Sequence, residues 1–178
     1  MLTQEKYQRM KIDRRANGVV VVSLNRPEKM NAIDNQLHHE MMTFSRDFAD
    51  DPDLRVLVLA GEGKAFCVGG DFSADSAIDM PSLTEARRII DHILECEKPI
   101  ISAVQGYALG LGANIALLCD VVVAGPDAKF GDTHVKMAIG AGDGGQLIWP
   151  MLIGVNRAKY YLMTGDMIGG KDAADMGL

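Results

Sequence analysis

The sequence predicts an α/β fold built on a largely parallel sheet. Three observations carry this. Residues 19–24, 55–60, 99–104 and 120–124 form short, nearly continuously apolar runs rich in β-branched residues, as strands covered on both faces do. Segments of helical period lie between these runs, and a strand–helix alternation gives βα units with parallel pairing. Neither an exact repeat nor a linker divides the 178 residues, a length that supports one domain with a substantial core.

Taken in order, the turn sequence RRANGVV (14–20) ahead of the first clear strand predicts an N-terminal hairpin. Leu37, Met41, Phe44 and Phe48 then recur at helical spacing, with Asp34 as N-cap and ADDPD (49–53) as the stop. After the second strand, Ser82 and Glu85 read as a capping box for a helix with Ile89, Ile90, Ile93 and Leu94 on one face.

Composition narrows the function classes. With 48% apolar residues there is still no stretch near the roughly 18 needed to span a membrane, so no membrane association is expected. MLTQEKYQRMK lacks the apolar region of a secretory signal, and Cys67, Cys96 and Cys119 lack C-x-x-C spacing. Both features lead to an expected cytoplasmic location. A net charge of −6 with scattered basic residues argues against a nucleic-acid groove.

No metal is expected. His38 and His39 read as the polar side of their helix, and HHE is not the H-E-x-x-H zinc motif. His92 and Cys96, one helical turn apart, have no third ligand in view. Tyr107 and Trp149 read as packing residues, and eleven methionines suit an adaptable apolar pocket.

Two segments carry the chemistry: GKAFCVGGDF (63–72) and VQGYALGLGAN (104–114), each a strand followed by a glycine-rich turn and a predicted helix. Glycines there allow tight packing, and they also open backbone amides where a helix begins, at its positive end. Two such turns meeting would aim two N–H donors at one oxygen, the arrangement that stabilises charge developing on a carbonyl. A dinucleotide site is excluded, because the turn from Gly110 through Gly112 reaches Ile115 where the fingerprint needs a third small residue.

NRPEKMNAI (25–33), KAFCVGGD (64–71), GYALGLGAN (106–114) and MTGDMI…AADMGL (163–178) together resemble the crotonase superfamily, the enoyl-CoA hydratases and isomerases, in order and spacing. The resemblance covers essentially the whole chain. It implies a repeated ββα spiral core, an acyl-CoA thioester substrate and no cofactor apart from the coenzyme A of that substrate. It also implies an oxyanion hole made by the N–H groups of Val68 and Leu111. Lys29, Met30 and Ala32 would line the coenzyme A, with Ala65, Gly69, Asp71 and Gly110 nearby. Residues 1–178 would be the core domain, with the family's C-terminal helical trimerisation region lying beyond it. The full-length protein would then be a homotrimer or a dimer of trimers.

The hydratases carry glutamates at the positions of Asn114 and His134. Asn114 can hold a water but not take its proton, whereas His134, with an ordinary pKa of about 6.5, can. Asp143 lies nine residues on, in a glycine-rich loop. A hydrogen bond from His134 to Asp143 would orient the ring, and the pair resembles the His and Asp of the oxocamphor-hydrolase branch. The expectation is therefore an enolate-forming enzyme with His134 as acid/base, Asp143 as its orienter and Asn114 positioning water. The alternatives are a C–C or thioester hydrolase and a non-catalytic homologue that only binds coenzyme A.

Overall fold

The computed structural model describes residues 1–73 and 80–178, with side chains from residue 86 onward in the second stretch. The chain opens with the expected hairpin. β1 (Met10–Arg14) and β2 (Val19–Leu24) pair antiparallel, Met10 opposite Leu24, around a turn that needs Gly18 at φ 82°. Asp34 accepts from the Leu37 amide at 2.8 Å and so starts α1 (Asn35–Met41), which is followed by α2 (Phe44–Ala49). Leu37, Met41, Phe44 and Phe48 are all fully buried although a break separates the two helices. His38 is buried too, so the expectation of a polar helix side is corrected there; only His39 faces out.

β3 (Val56–Gly61) runs parallel to β2, and α3 (Met80–Leu94) returns the chain to β4 (Ile100–Val104). Ile89, Ile90 and Ile93 of α3 are buried, whereas Leu94 is 56% exposed and drops out of the expected face. The capping box of Ser82 and Glu85 falls on side chains outside the described residues. β5 (Tyr107–Leu109), α4 (Leu111–Leu118), β6 (Val121–Ala124) and β7 (Lys129–Gly131) come next. They are followed by α5 (Gly145–Ile153), α6 (Val155–Thr164), β8 (Ile168–Gly169) and α7 (Gly170–Met176).

Two sheets result. The larger has the order β1-β2-β3-β4-β6, parallel from β2 onward, and the smaller is β5-β7-β8. Burial in the larger sheet alternates, with Val20, Val22, Leu57, Leu59 and Ile100 inside. Val121 and Val123 of β6 are more than half exposed, so the expectation of strands covered on both faces is corrected. α4 is buried along its whole length and brings its N-terminus to the junction of the two sheets. Gly112 permits this: a Cβ there would stand 2.5 Å from the Cys67 carbonyl oxygen and 2.8 Å from its Sγ.

Candidate active site

The two glycine-rich segments meet. Cys67 pairs with Ala108 and Gly70 with Ile33 in single-residue parallel bridges, which fix residues 67–70 between β5 and the loop before α1. Cys67 takes the Tyr107 carbonyl at 3.0 Å and gives its own to Leu109 N–H at 2.9 Å. Gly69, at φ 86°, lies so close to the other segment that a Cβ on it would be 2.9 Å from Leu109 O and 3.6 Å from Leu111 N. Among the described residues, no acceptor takes the N–H of Val68 or of Leu111.

For Leu111 the reason is its place as the first residue of α4, where no intrahelical partner exists. For Val68 it is the gap between the two bridges. The expectation of a helix directly after the first glycine turn is corrected, because Phe72 and Ser73 are not helical.

His134 stands beside these donors: a Cβ on Gly110 would lie 3.6 Å from its Cε1. It opens a 3-10 turn, His134–Met137, just after β7. Its Nε2 is 2.8 Å from Asp143 Oδ2 and its Nδ1 is 2.6 Å from Asp132 Oδ1. Burial by itself disfavours the charged ring. The hydrogen bonds to Asp132 and Asp143, with the charges of both, outweigh it and push the pKa up to about 10. At neutral pH the ring is an imidazolium that donates at both nitrogens, which corrects the expectation of a free base with a pKa near 6.5.

Asn114 closes the cluster from α4. Its Nδ2 donates to Asp143 Oδ1 at 2.8 Å and to Asp132 Oδ2 at 3.3 Å, and its Oδ1 accepts from Trp149 Nε1 at 3.0 Å. The residue is fully buried and its amide is committed to protein partners, so the expectation that Asn114 positions water is corrected. Gly145 lets α5 approach this cluster, since a Cβ there would run into Asp132 Oδ2 and lie 3.1 Å from Asn114 Nδ2.

The residues expected to line coenzyme A fall into two groups. Lys29 and Met30 are exposed at the end of a 3-10 turn (Pro27–Lys29), Met30 in the left-handed region at φ 51°. Ala32, Ala65 and Asp71 are buried. Asp71 pairs with Arg26 at 3.1 Å and accepts from Ser73 Oγ at 2.6 Å, so its carboxylate organises the loop. Buried Asn31 ties the loop before α1 to the first glycine-rich segment, donating to Ala65 O at 2.8 Å and to Glu62 O at 2.9 Å.

Asp132, His134 and Asp143 offer ligand atoms within 4.8 Å of one another. The imidazole lies between the two carboxylates, one on each ring nitrogen, so a single cation cannot replace both contacts. This donor set fits a proton network better than a metal. Sequence reasoning missed Asp132, Asn31 and Arg26, and it read Trp149 as a packing residue without its hydrogen bond. FGDTH does place an acid two residues before His134, and that spacing was the available signal for Asp132.

The profile of the family described as Enoyl-CoA hydratase/isomerase matches residues 14–178. The chain is 39% identical over 168 residues to (E)-benzylidenesuccinyl-CoA hydratase of Thauera aromatica, covering 92% of this chain and 65% of that protein. It is 32% identical over 164 residues to the mitochondrial enoyl-CoA hydratase of Pongo abelii, covering 91% of this chain and 57% of the relative.

Among solved structures, enoyl-CoA hydratase from Bacillus anthracis superposes with a TM-score of 0.89 at 32% identity, over 96% of this chain and 68% of that one. The chain therefore belongs to the enoyl-CoA hydratase/isomerase family and has its fold. It spans less than two thirds of the length of these two curated relatives.

Proposed function

We propose that this chain is the core of an acyl-CoA enzyme of the hydratase/isomerase type that stabilises a thioester enolate. The observation that carries the reading is the pair of unclaimed amides, Val68 N–H and Leu111 N–H, on two touching loops beside His134. A thioester carbonyl between them gains charge as its enolate forms, and fixed dipoles hold that charge without reorganising. Lys29, Met30, Ala32, Ala65, Gly69 and Gly110 line the coenzyme A in this reading, with Asp71 and Arg26 ordering the loop.

The acid/base roles are exchanged relative to the sequence expectation. Both nitrogens of His134 are held by carboxylates, so Asp143 is the group that exchanges protons with the substrate. Its two oxygens each accept one hydrogen bond, from His134 and from Asn114, and each keeps a second lone pair. In hydration, Asp143 takes a proton from water as the water oxygen bonds to the β-carbon. The electron pair moves to the thioester oxygen, and Asp143 returns a proton to the α-carbon as the enolate collapses. The hydratase names of the relatives favour this over isomerisation. A water activated at His134 for hydrolysis would need a free ring lone pair, whereas both nitrogens carry protons donated to Asp132 and Asp143.

For the whole protein, a cytoplasmic location and a homotrimer or dimer of trimers belong to the same proposal, with no cofactor beyond coenzyme A.

Leu111→Pro tests the oxyanion hole. Proline is tolerated at the first helical position and removes the N–H donor, along with the buried Leu111 side chain. In a variant that still folds, with a thermal midpoint lowered by the lost packing, turnover of crotonyl-CoA should fall about 100- to 1000-fold. An unchanged rate in a folded variant overturns the reading.

A further inference from the structure

The geometry points to Trp149 as a positioning residue whose indole N–H fixes the Asn114 amide and, through it, the two carboxylates that grip His134. This rests on the proposed function of the same site and names a part of it that faces no substrate. Trp149 is fully buried in α5, and its Nε1 lies 3.0 Å from Asn114 Oδ1.

An asparagine amide has two nearly isosteric orientations, and only its hydrogen-bond partners choose between them. With Oδ1 held by the indole, both amide hydrogens point at Asp143 and Asp132. In the flipped orientation, a carbonyl oxygen would face two carboxylates while an N–H₂ faced the indole N–H. Both contacts would be repulsive, and the cluster is too buried for water to relieve them.

Trp149 thus sets the direction of a three-layer polar stack: indole, amide, then the Asp132–His134–Asp143 row. A tryptophan kept for packing alone would act through its ring, and phenylalanine would largely replace it. A positioning tryptophan acts through one N–H, which phenylalanine lacks.

The experiment uses the full chain and two readouts. The first is the titration of His134 followed by ¹⁵N-histidine NMR, which needs no activity. Trp149→Phe should lower the His134 midpoint by about one pH unit or more, because the amide is freed to loosen one carboxylate. Trp149→Phe in an Asn114→Leu background should produce no further shift, since the indole N–H acts on the carboxylates through Asn114. The second readout is crotonyl-CoA turnover, where Trp149→Phe should lower kcat about tenfold at unchanged KM.

An unshifted titration in a folded Trp149→Phe variant, or an equal shift with and without Asn114, overturns the inference. A shifted titration in a protein without turnover leaves it standing and removes the proposed function instead. Where Trp149→Phe does not fold, Trp149→His supplies a ring with a replacement N–H, and a native His134 titration there supports the assignment.

Discussion

Asp132 Oδ1 lies 2.6 Å from His134 Nδ1, on the edge of the ring opposite Asp143. The contact joins residues only two apart, because the 3-10 turn that starts at His134 folds the ring back over its own entry strand. A fully buried carboxylate in that place keeps the ring protonated and leaves the second carboxylate, at 2.8 Å, as the member that can turn to a substrate. The site reads as a cation held between two anions.

A first consequence concerns pH and stability. The folded pKa of His134 is raised from 6.5 to about 10. Its stabilising contribution is therefore fully present below about pH 6.5 and is lost as pH rises through 10. Urea unfolding should show a fall of order 3 kcal/mol between pH 6 and pH 10.5. In His134→Gln that fall should be largely missing.

Asp143→Asn keeps the shape of the cluster but removes the proton acceptor. Turnover of crotonyl-CoA should drop about 100- to 1000-fold, while affinity for the product thioester changes less than about threefold. His134→Gln should cost less than Asp143→Asn. The reverse ranking in steady-state kinetics would restore the histidine as the proton-exchanging group.

Gly112→Ala places a methyl group against the Cys67 backbone oxygen and side chain. The thermal midpoint should fall by several degrees, corresponding to about 2 kcal/mol, and activity should be lost as the two loops are pushed apart. Adding Cys67→Ala should not restore either property, because the carbonyl oxygen at 2.5 Å remains.

Far from the site, buried Asp51 accepts from Arg14 at 2.7 Å and from the Leu2 amide at 3.0 Å. The Arg14 hydrogen bond holds its pKa down at about 2, against the cost of burial. Its contribution is present above the ordinary carboxylate range and disappears as pH falls through 2. Asp51→Asn should cost about 2 kcal/mol at pH 7, measured by denaturant unfolding, and nearly nothing at pH 2.

Much of the architecture was legible in the chain. The four apolar runs became strands within a residue of their expected ends, and Asp34 caps α1 as its side-chain chemistry suggests. Periodicity reports burial well, so the α1–α2 face was visible even across a helix break. It says less about which side of a strand is covered, because Val121 and Val123 look like core residues until neighbouring elements are placed.

In the site, the nine-residue spacing pointed to the His134–Asp143 pair, which lies at 2.8 Å. The protonation state did not follow from spacing. It depends on Asp132 and on a buried amide from α4, and no local pattern reveals that those three elements converge. The hydrogen bond of Trp149, which reads from the sequence as a packing residue, was hidden for the same reason: its partner lies 35 residues earlier.

The single-residue bridges at Cys67–Ala108 and Ile33–Gly70 hold residues 67–70 by one rung on either side. A ladder of several rungs opens cooperatively, whereas one rung can break by itself at little cost. Amide hydrogen exchange at Asp71 and Leu109, whose N–H groups close those rungs, should outpace that of the β2–β3 ladder. On warming, the donor pair would then drift out of alignment while the rest of the sheet is still intact, and heat would silence the protein before it melts.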